Sequence, residues 1–182
     1  MDICIVTKEG NSCMKSKVNL AIILFSVLFI VFGCSKPEPE FEIYKGKSLH
    51  IAIIGEEPEI RENNIKFTRI DFSAIENPNN LSKYDAIFIT KDNLVEADKS
   101  KYAEIYNNSP IPFLFIQTPK SYVPFIYDDI DFEDISDDDS GTYASLYDGK
   151  SERYWGYGLY NDEVNERNIQ DVRSDIPKRE SV

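Results

Sequence analysis

Hydrophobic positions in this chain come in one long block and four short ones. The long block, Leu20 to Phe32 (LAIILFSVLFIVF), is broken only by Ser26. Leu49 to Ile54 (LHIAII) is nearly continuous and stops at Gly55, the pattern of a strand buried on both faces of a parallel sheet. Ile65 to Phe72 (IKFTRIDF) alternates, with Ile65 and Phe67, and then Ile70 and Phe72, inward, and predicts an edge or half-exposed strand. Tyr84 to Thr90 (YDAIFIT) and Ile111 to Thr118 (IPFLFIQT) have continuous apolar centres and predict two more buried strands.

Between the last two, Asp92 to Asn108 predicts a helix. Leu94, Ala97, Tyr102, Ile105 and Tyr106 recur at helical spacing. Asp92 or Asn93 is placed to cap its start, and Asn107-Asn108-Ser109-Pro110 stops it. The last third is of another kind. Asp148-Gly149 predicts a hairpin closed by a two-residue type I′ turn, pairing Tyr147 with Lys150, Ser145 with Glu152 and Tyr143 with Tyr154. A polar helix from Glu163 to Arg173, capped by Asn161 or Asp162, follows, with Val164, Ile169 and Val172 as its few apolar residues. This order predicts an α/β domain of two or three layers over residues 48–178, on a mostly parallel sheet with a C-terminal β-hairpin. The gap from Ile54 to Ile65 is short for a crossover helix, so the first layer is expected to be trimmed.

The long apolar block follows Met14, Lys15 and Lys17. A basic stretch before an apolar one is the signature of a secretory leader, and the run is shorter than the roughly 20 residues of a membrane span. It ends in Val31-Phe32-Gly33-Cys34. This segment resembles the lipobox of bacterial lipoproteins, with Val31, Gly33 and Cys34 at the pattern positions and a bulkier Phe32 at the variable one. The resemblance implies that Cys34 becomes the N-terminus, is fatty-acylated (the palmitate-bearing lipid anchor), and holds the protein in the bilayer on the extracytoplasmic face of the cell membrane. Two acyl chains are enough for stable anchoring. Residues 14–33 are then signal peptide, and 34–47 are the lipidated cysteine and its tether, with Ser35 to Glu40 (SKPEPE) as an extended spacer. Asp2 and Glu9 sit ahead of the basic stretch, so residues 1–13 are read as a misassigned start.

Charge sharpens this picture. The chain carries 20 Lys and Arg against 32 Asp and Glu. Setting aside Lys8, Lys15, Lys17, Asp2 and Glu9 leaves 17 cationic and 30 anionic side chains in residues 34–182, net −13. That excludes a nucleic-acid partner, which needs a basic face. It also means that an anionic leaflet repels the domain as a whole, so that the lipid does the anchoring. A single histidine, His50, excludes sites built from two histidines and is expected to be structural. No cysteine follows Cys34, which excludes disulfide frameworks and zinc ribbons in the folded part.

Ile51 to Pro58, with Glu56 and Glu57 after the strand, resembles the opening of a response-regulator receiver domain, and Tyr84 to Thr90 resembles its phosphoacceptor strand. Thr90 stands where the acceptor aspartate would be, and Val123-Pro124-Phe125 has valine in the lysine position, so no phosphorylation is expected. The resemblance implies a trimmed flavodoxin-like arrangement. In that arrangement Glu56, Glu57, Thr90, Lys91, Asp92, Gln117 and Thr118 gather at the carboxyl ends of the strands, where open α/β sheets bind ligands. The alternative is that they are turn, cap and solvated loop residues. A lone Gly55 offers no phosphate-binding glycine loop, and no cofactor is expected.

Two further stretches stand out. Asp128, Asp129, Asp131, Asp137, Asp138 and Asp139 are hard oxygen donors at close spacing and weak calcium candidates. The EF-hand template fails on them, with Tyr147 where its bidentate Glu belongs, and a solvated acidic loop is the simpler expectation. Trp155 and Tyr157 lie in a stretch with Tyr143, Tyr147, Tyr154 and Tyr160. Exposed, they form an aromatic surface for a glycan or an envelope protein. Buried, they are core for a thin sheet, which is the expectation for at least half of the six rings. No catalytic constellation is recognisable. The chain reads first as a non-enzymatic binding or interaction module of the cell envelope. A small hydrolase or transferase using the strand-end acids is the second reading, and a calcium-binding envelope protein the third. A concave acid-lined pocket favours the second, a flat aromatic surface the first.

Overall fold

The structure, a computed structural model, describes residues 42–137 and 141–180, all within the compact unit Phe41–Val182. The leader, Cys34 and the spacer lie outside the described residues, as do Asp138 and Asp139. Six strands form one sheet: β1 (Leu49–Ile54), β2 (Ile65–Arg69), β3 (Ala86–Ile89), β4 (Phe113–Ile116), β5 (Thr142–Asp148) and β6 (Arg153–Gly158). Their order across the sheet is β2-β1-β3-β4-β5-β6. β2, β1, β3 and β4 run parallel, and β5 and β6 run antiparallel. The domain is therefore mixed α/β on a mostly parallel sheet. β2 is the edge strand its alternation predicts, and β1, β3 and β4 are almost wholly buried.

Alternation along the buried strands divides the core into two. Ala52, Ile54, Ile87, Ile89, Phe113 and Phe115 face four short helices: α1 (Phe72–Ile75), α2 (Leu94–Ala97), α3 (Ser100–Asn107) and α4 (Val123–Ile126). Ile51, Ile53, Phe88, Leu114, Ile116 and Leu146 face the opposite way. There Val172 and Ile176 of α5 (Glu166–Glu180) complete the core. The connection from β1 to β2 is too short to hold a helix, and α5 covers the face that it leaves bare.

Three expectations are corrected. The helix expected over 92–108 is a 3₁₀ turn (Lys91–Asn93), then α2, then α3, interrupted at Asp98-Lys99. The break has a tertiary cause: Asp98 accepts the backbone N–H of Phe132 at 2.5 Å, and Lys99 leaves the helical region at φ −59°, ψ 131°. Asn93 makes no cap; its amide donates to Thr90 Oγ1 at 3.3 Å. The turn between β5 and β6 spans four residues, Gly149 to Glu152, not two, and Tyr147 opposes Tyr154. Asp148 closes it by accepting from Lys150 N and Ser151 Oγ. Gly149 is required because a Cβ there would run into the carbonyls of Tyr106 and Asn107, so the glycine serves close approach and not a positive φ. The C-terminal helix starts at Glu166, is capped by Asn165 (Asn168 N to Asn165 Oδ1, 2.9 Å), and runs beyond Arg173. Val164 is left exposed and Ile176 takes the expected buried place.

Candidate functional site

The parallel strands all end at one edge of the sheet. β1 gives way to Gly55, Glu56, Glu57 and Pro58, β3 to Thr90, Lys91 and Asp92, and β4 to Gln117. Around these ends is a cleft of about 320 Å³, lined by Glu56, Glu57, Glu59, Thr90, Lys91, Asp92 and Gln117, with Glu166 and Arg173 of α5 as its outer wall. It sits beside the β1–β3 boundary, where the connections leave the sheet in opposite directions, the place at which open α/β sheets accept ligands.

Local physics holds these ends in place. Gly55 has φ +117°, and any Cβ there would collide with Thr90 Oγ1. Thr90 N bonds Ile54 O at 3.1 Å, tying the end of β3 to the end of β1. Gln117 adopts φ +59°, an uncommon left-handed conformation for a side-chain-bearing residue. Arg173 donates from one terminal nitrogen to Glu59 O at 2.7 Å and lies 3.8 Å from Glu166 Oε1. Among the described residues the side chains of Glu56, Glu57, Lys91, Asp92 and Gln117 have no hydrogen-bond or ion-pair partner.

Six of the seven strand-end residues named from sequence thus line one cleft. The seventh, Thr118, does not: it is fully buried, with its hydroxyl spent on Lys120 (Oγ1 to Lys120 O and from Lys120 N, both 3.1 Å). Sequence reasoning missed Glu59, Glu166 and Arg173. The separation of seven between the last two places them on one helix face, which is the signal that was available.

The aromatic surface expected at Trp155 and Tyr157 is corrected. Tyr157 is buried and Trp155 packs half-buried against the α5-side core, because their face of β6 is turned toward the interior. Tyr154 points the other way, exposed, and stacks on Tyr122 at 4.3 Å. His50 is structural: Nε2 meets Thr68 Oγ1 at 2.8 Å, and the ring packs edge-on to Tyr84.

The acidic stretch is fastened to the domain. Lys120 donates to Ile135 O, lies 3.7 Å from Asp137 and sits over the Phe132 ring, while Asp98 holds Phe132 N. Asp128, Asp129, Asp131 and Asp137 are exposed, and among the described residues no three acidic, histidine or cysteine side chains converge to hold a metal ion. Beside this stretch a recess of about 710 Å³ includes Asp98, Lys99, Asp128 and Asp131. Burial raises the Asp98 pKa, the Phe132 N–H opposes that, and the charge of Asp131 adds to the rise.

Compared with known proteins, the chain matches no family model, no curated protein and no solved structure. No helix among the described residues is long and apolar enough to cross a membrane.

Proposed function

We infer that this is an extracytoplasmic lipoprotein, anchored through acylated Cys34, whose domain is a binding module for a small polar ligand held in the strand-end cleft. The observation that carries the ligand site is the ring of unpaired polar side chains, Glu56, Glu57, Lys91, Asp92 and Gln117, around one concave space. All five are exposed and hydrated, so a ligand that enters the cleft exchanges with water and has no internal ion pair to break. The strand order β2-β1-β3-β4, with the cleft at the β1–β3 boundary, supports a trimmed flavodoxin-like reading of the parallel half. The lipid anchor rests on Val31, Gly33 and Cys34 in the chain itself.

The two parts are tested separately. Wild-type protein incorporates radiolabelled palmitate and Cys34→Ala does not; a wild type that takes up no label removes the anchor. For the ligand site, the mature chain is titrated with putrescine, glutamate and inorganic phosphate while backbone amide resonances are followed. A binder moves Gly55, Thr90 and Gln117 and leaves Gly149 still. Shifts confined to other residues, or none with any probe, remove the cleft as a ligand site.

The second reading, a small hydrolase or transferase, is the one a concave acid-lined cleft favours, with Glu56, Glu57 and Asp92 along one wall. Binding is ranked above it because these three carboxylates are exposed and have no side-chain partner to tune one of them as an acid or base. It requires a substrate whose turnover Asp92→Asn abolishes while the amide shifts of binding persist.

A further inference from the structure

The two edges of the parallel sheet differ in charge. At the strand starts stand the exposed Lys45, Lys47, Lys66 and Lys83. The pairing brings them to one edge: Asn64 binds Gly46 O at 2.9 Å, Lys66 is the register partner of His50, and Lys47 bonds Asp85 at 3.1 Å just before β3. Within four residues of the starts of β1, β2, β3 and β4, the reach that takes in these lysines, the carboxylates are Asp85, already paired with Lys47, and Glu62, which is buried and accepts from Tyr44 N and Arg61 N. At the ends of the same strands and within three residues after them stand Glu56, Glu57, Asp71 and Asp92, against the two cations Arg69 and Lys91. The chain enters the domain through Lys45 and Lys47 at the lysine-bearing edge, and the cleft opens at the acidic one.

We propose that the strand-start edge, with Lys45, Lys47, Lys66 and Lys83, is a docking surface for the anionic lipid headgroups of the membrane that carries the anchor, so that the domain stands on end and opens its cleft away from the bilayer. The proposal rests on the lipid-anchor reading. Its argument is charge complementarity combined with where the chain enters. Surface electrostatics act within about a Debye length, roughly 8–10 Å, so the edge next to the tether decides the pose and the acidic remainder is pushed outward. The sequence total alone predicts uniform repulsion; the charge asymmetry across the sheet replaces it with a preferred end.

The test uses the mature lipidated protein, in which the acylated Cys34 leaves no free thiol. A dye is placed on Asn63→Cys, beside the strand starts, or on Glu57→Cys, at the cleft, and energy transfer to a headgroup-labelled lipid is measured. Six-residue β1 separates the two edges by about 20 Å at roughly 3.3 Å per residue. In vesicles of phosphatidylcholine with phosphatidylglycerol, transfer from the Asn63 position is expected to exceed that from the Glu57 position severalfold. The contrast is expected to shrink without phosphatidylglycerol, at high salt, and in the combined Lys47→Gln, Lys66→Gln, Lys83→Gln protein. Protein that fails to partition into any vesicle removes the anchor reading. Protein that partitions but gives equal transfer from both positions, or a contrast indifferent to anionic lipid, overturns the docking surface and leaves the anchor standing.

Discussion

The two faces of the sheet are closed in different ways. The face under α1 to α4 is filled by rings in mutual contact: Phe115 stacks on Phe125 at 3.7 Å and meets Tyr106 edge-on at 5.5 Å, and Tyr106 also meets Phe113. Its covering helices are short and arise from the connections between strands consecutive in the chain. The other face is covered by α5, which comes from the far end of the chain and contributes Val172 and Ile176, with Ile169 partly buried. A locally built, aromatic layer serves stability. A layer supplied by one remote helix serves both the core and the cleft, because the helix that buries Ile176 also carries Glu166 and Arg173 to the cleft wall.

The sharpest way to break this contrast is Phe115→Ala. It empties the centre of the ring cluster, and truncating a fully buried phenylalanine costs about 3–5 kcal/mol. The loss is read from the urea midpoint, with the cleft's amide resonances unchanged in what remains folded. Ile176→Ala is expected to cost less, about 2–3 kcal/mol, since a helix at the rim relaxes into the gap more easily. Unlike Phe115→Ala, it is expected to shift the Gly55 and Gln117 amides by loosening the wall that Arg173 ties to Glu59 O. Equal costs, or an undisturbed cleft in the isoleucine variant, would erase the difference between the faces.

How far each face was legible follows from how local its causes are. β1 was readable to the residue because Leu49–Ile54 is buried on both sides and Gly55 ends it. The strand-end residues were readable as a group, since parallel strands must deliver their ends to one edge. What failed depended on partners far along the chain. The break at Asp98 answers to Phe132, 34 residues on. The β5–β6 register answers to the α3 carbonyls that crowd Gly149. Arg173 reaches Glu59 across 114 positions, and no periodicity within 163–173 reveals that. Thr118 was misplaced for a local reason: its hydroxyl closes a turn with Lys120, which spacing alone cannot distinguish from a ligand contact.

The smallest expected effect lies on the face under α1 to α4, where the break at Asp98 brings a carboxylate toward the core. Burial raises its pKa above the usual 3.8, so the folded state holds its proton more tightly than the unfolded chain does. Stability from this group is therefore complete below the usual value and is lost as the pH rises through the raised one. Asp98→Asn keeps an oxygen to accept the Phe132 N–H and removes the charge. Urea midpoints measured across the acid range are expected to show the variant slightly more stable than wild type at neutral pH, the two converging as the wild-type carboxyl protonates. A wild type that instead gains on the variant with rising pH would mean that the Phe132 hydrogen bond outweighs burial, and that this face accommodates the charge without cost.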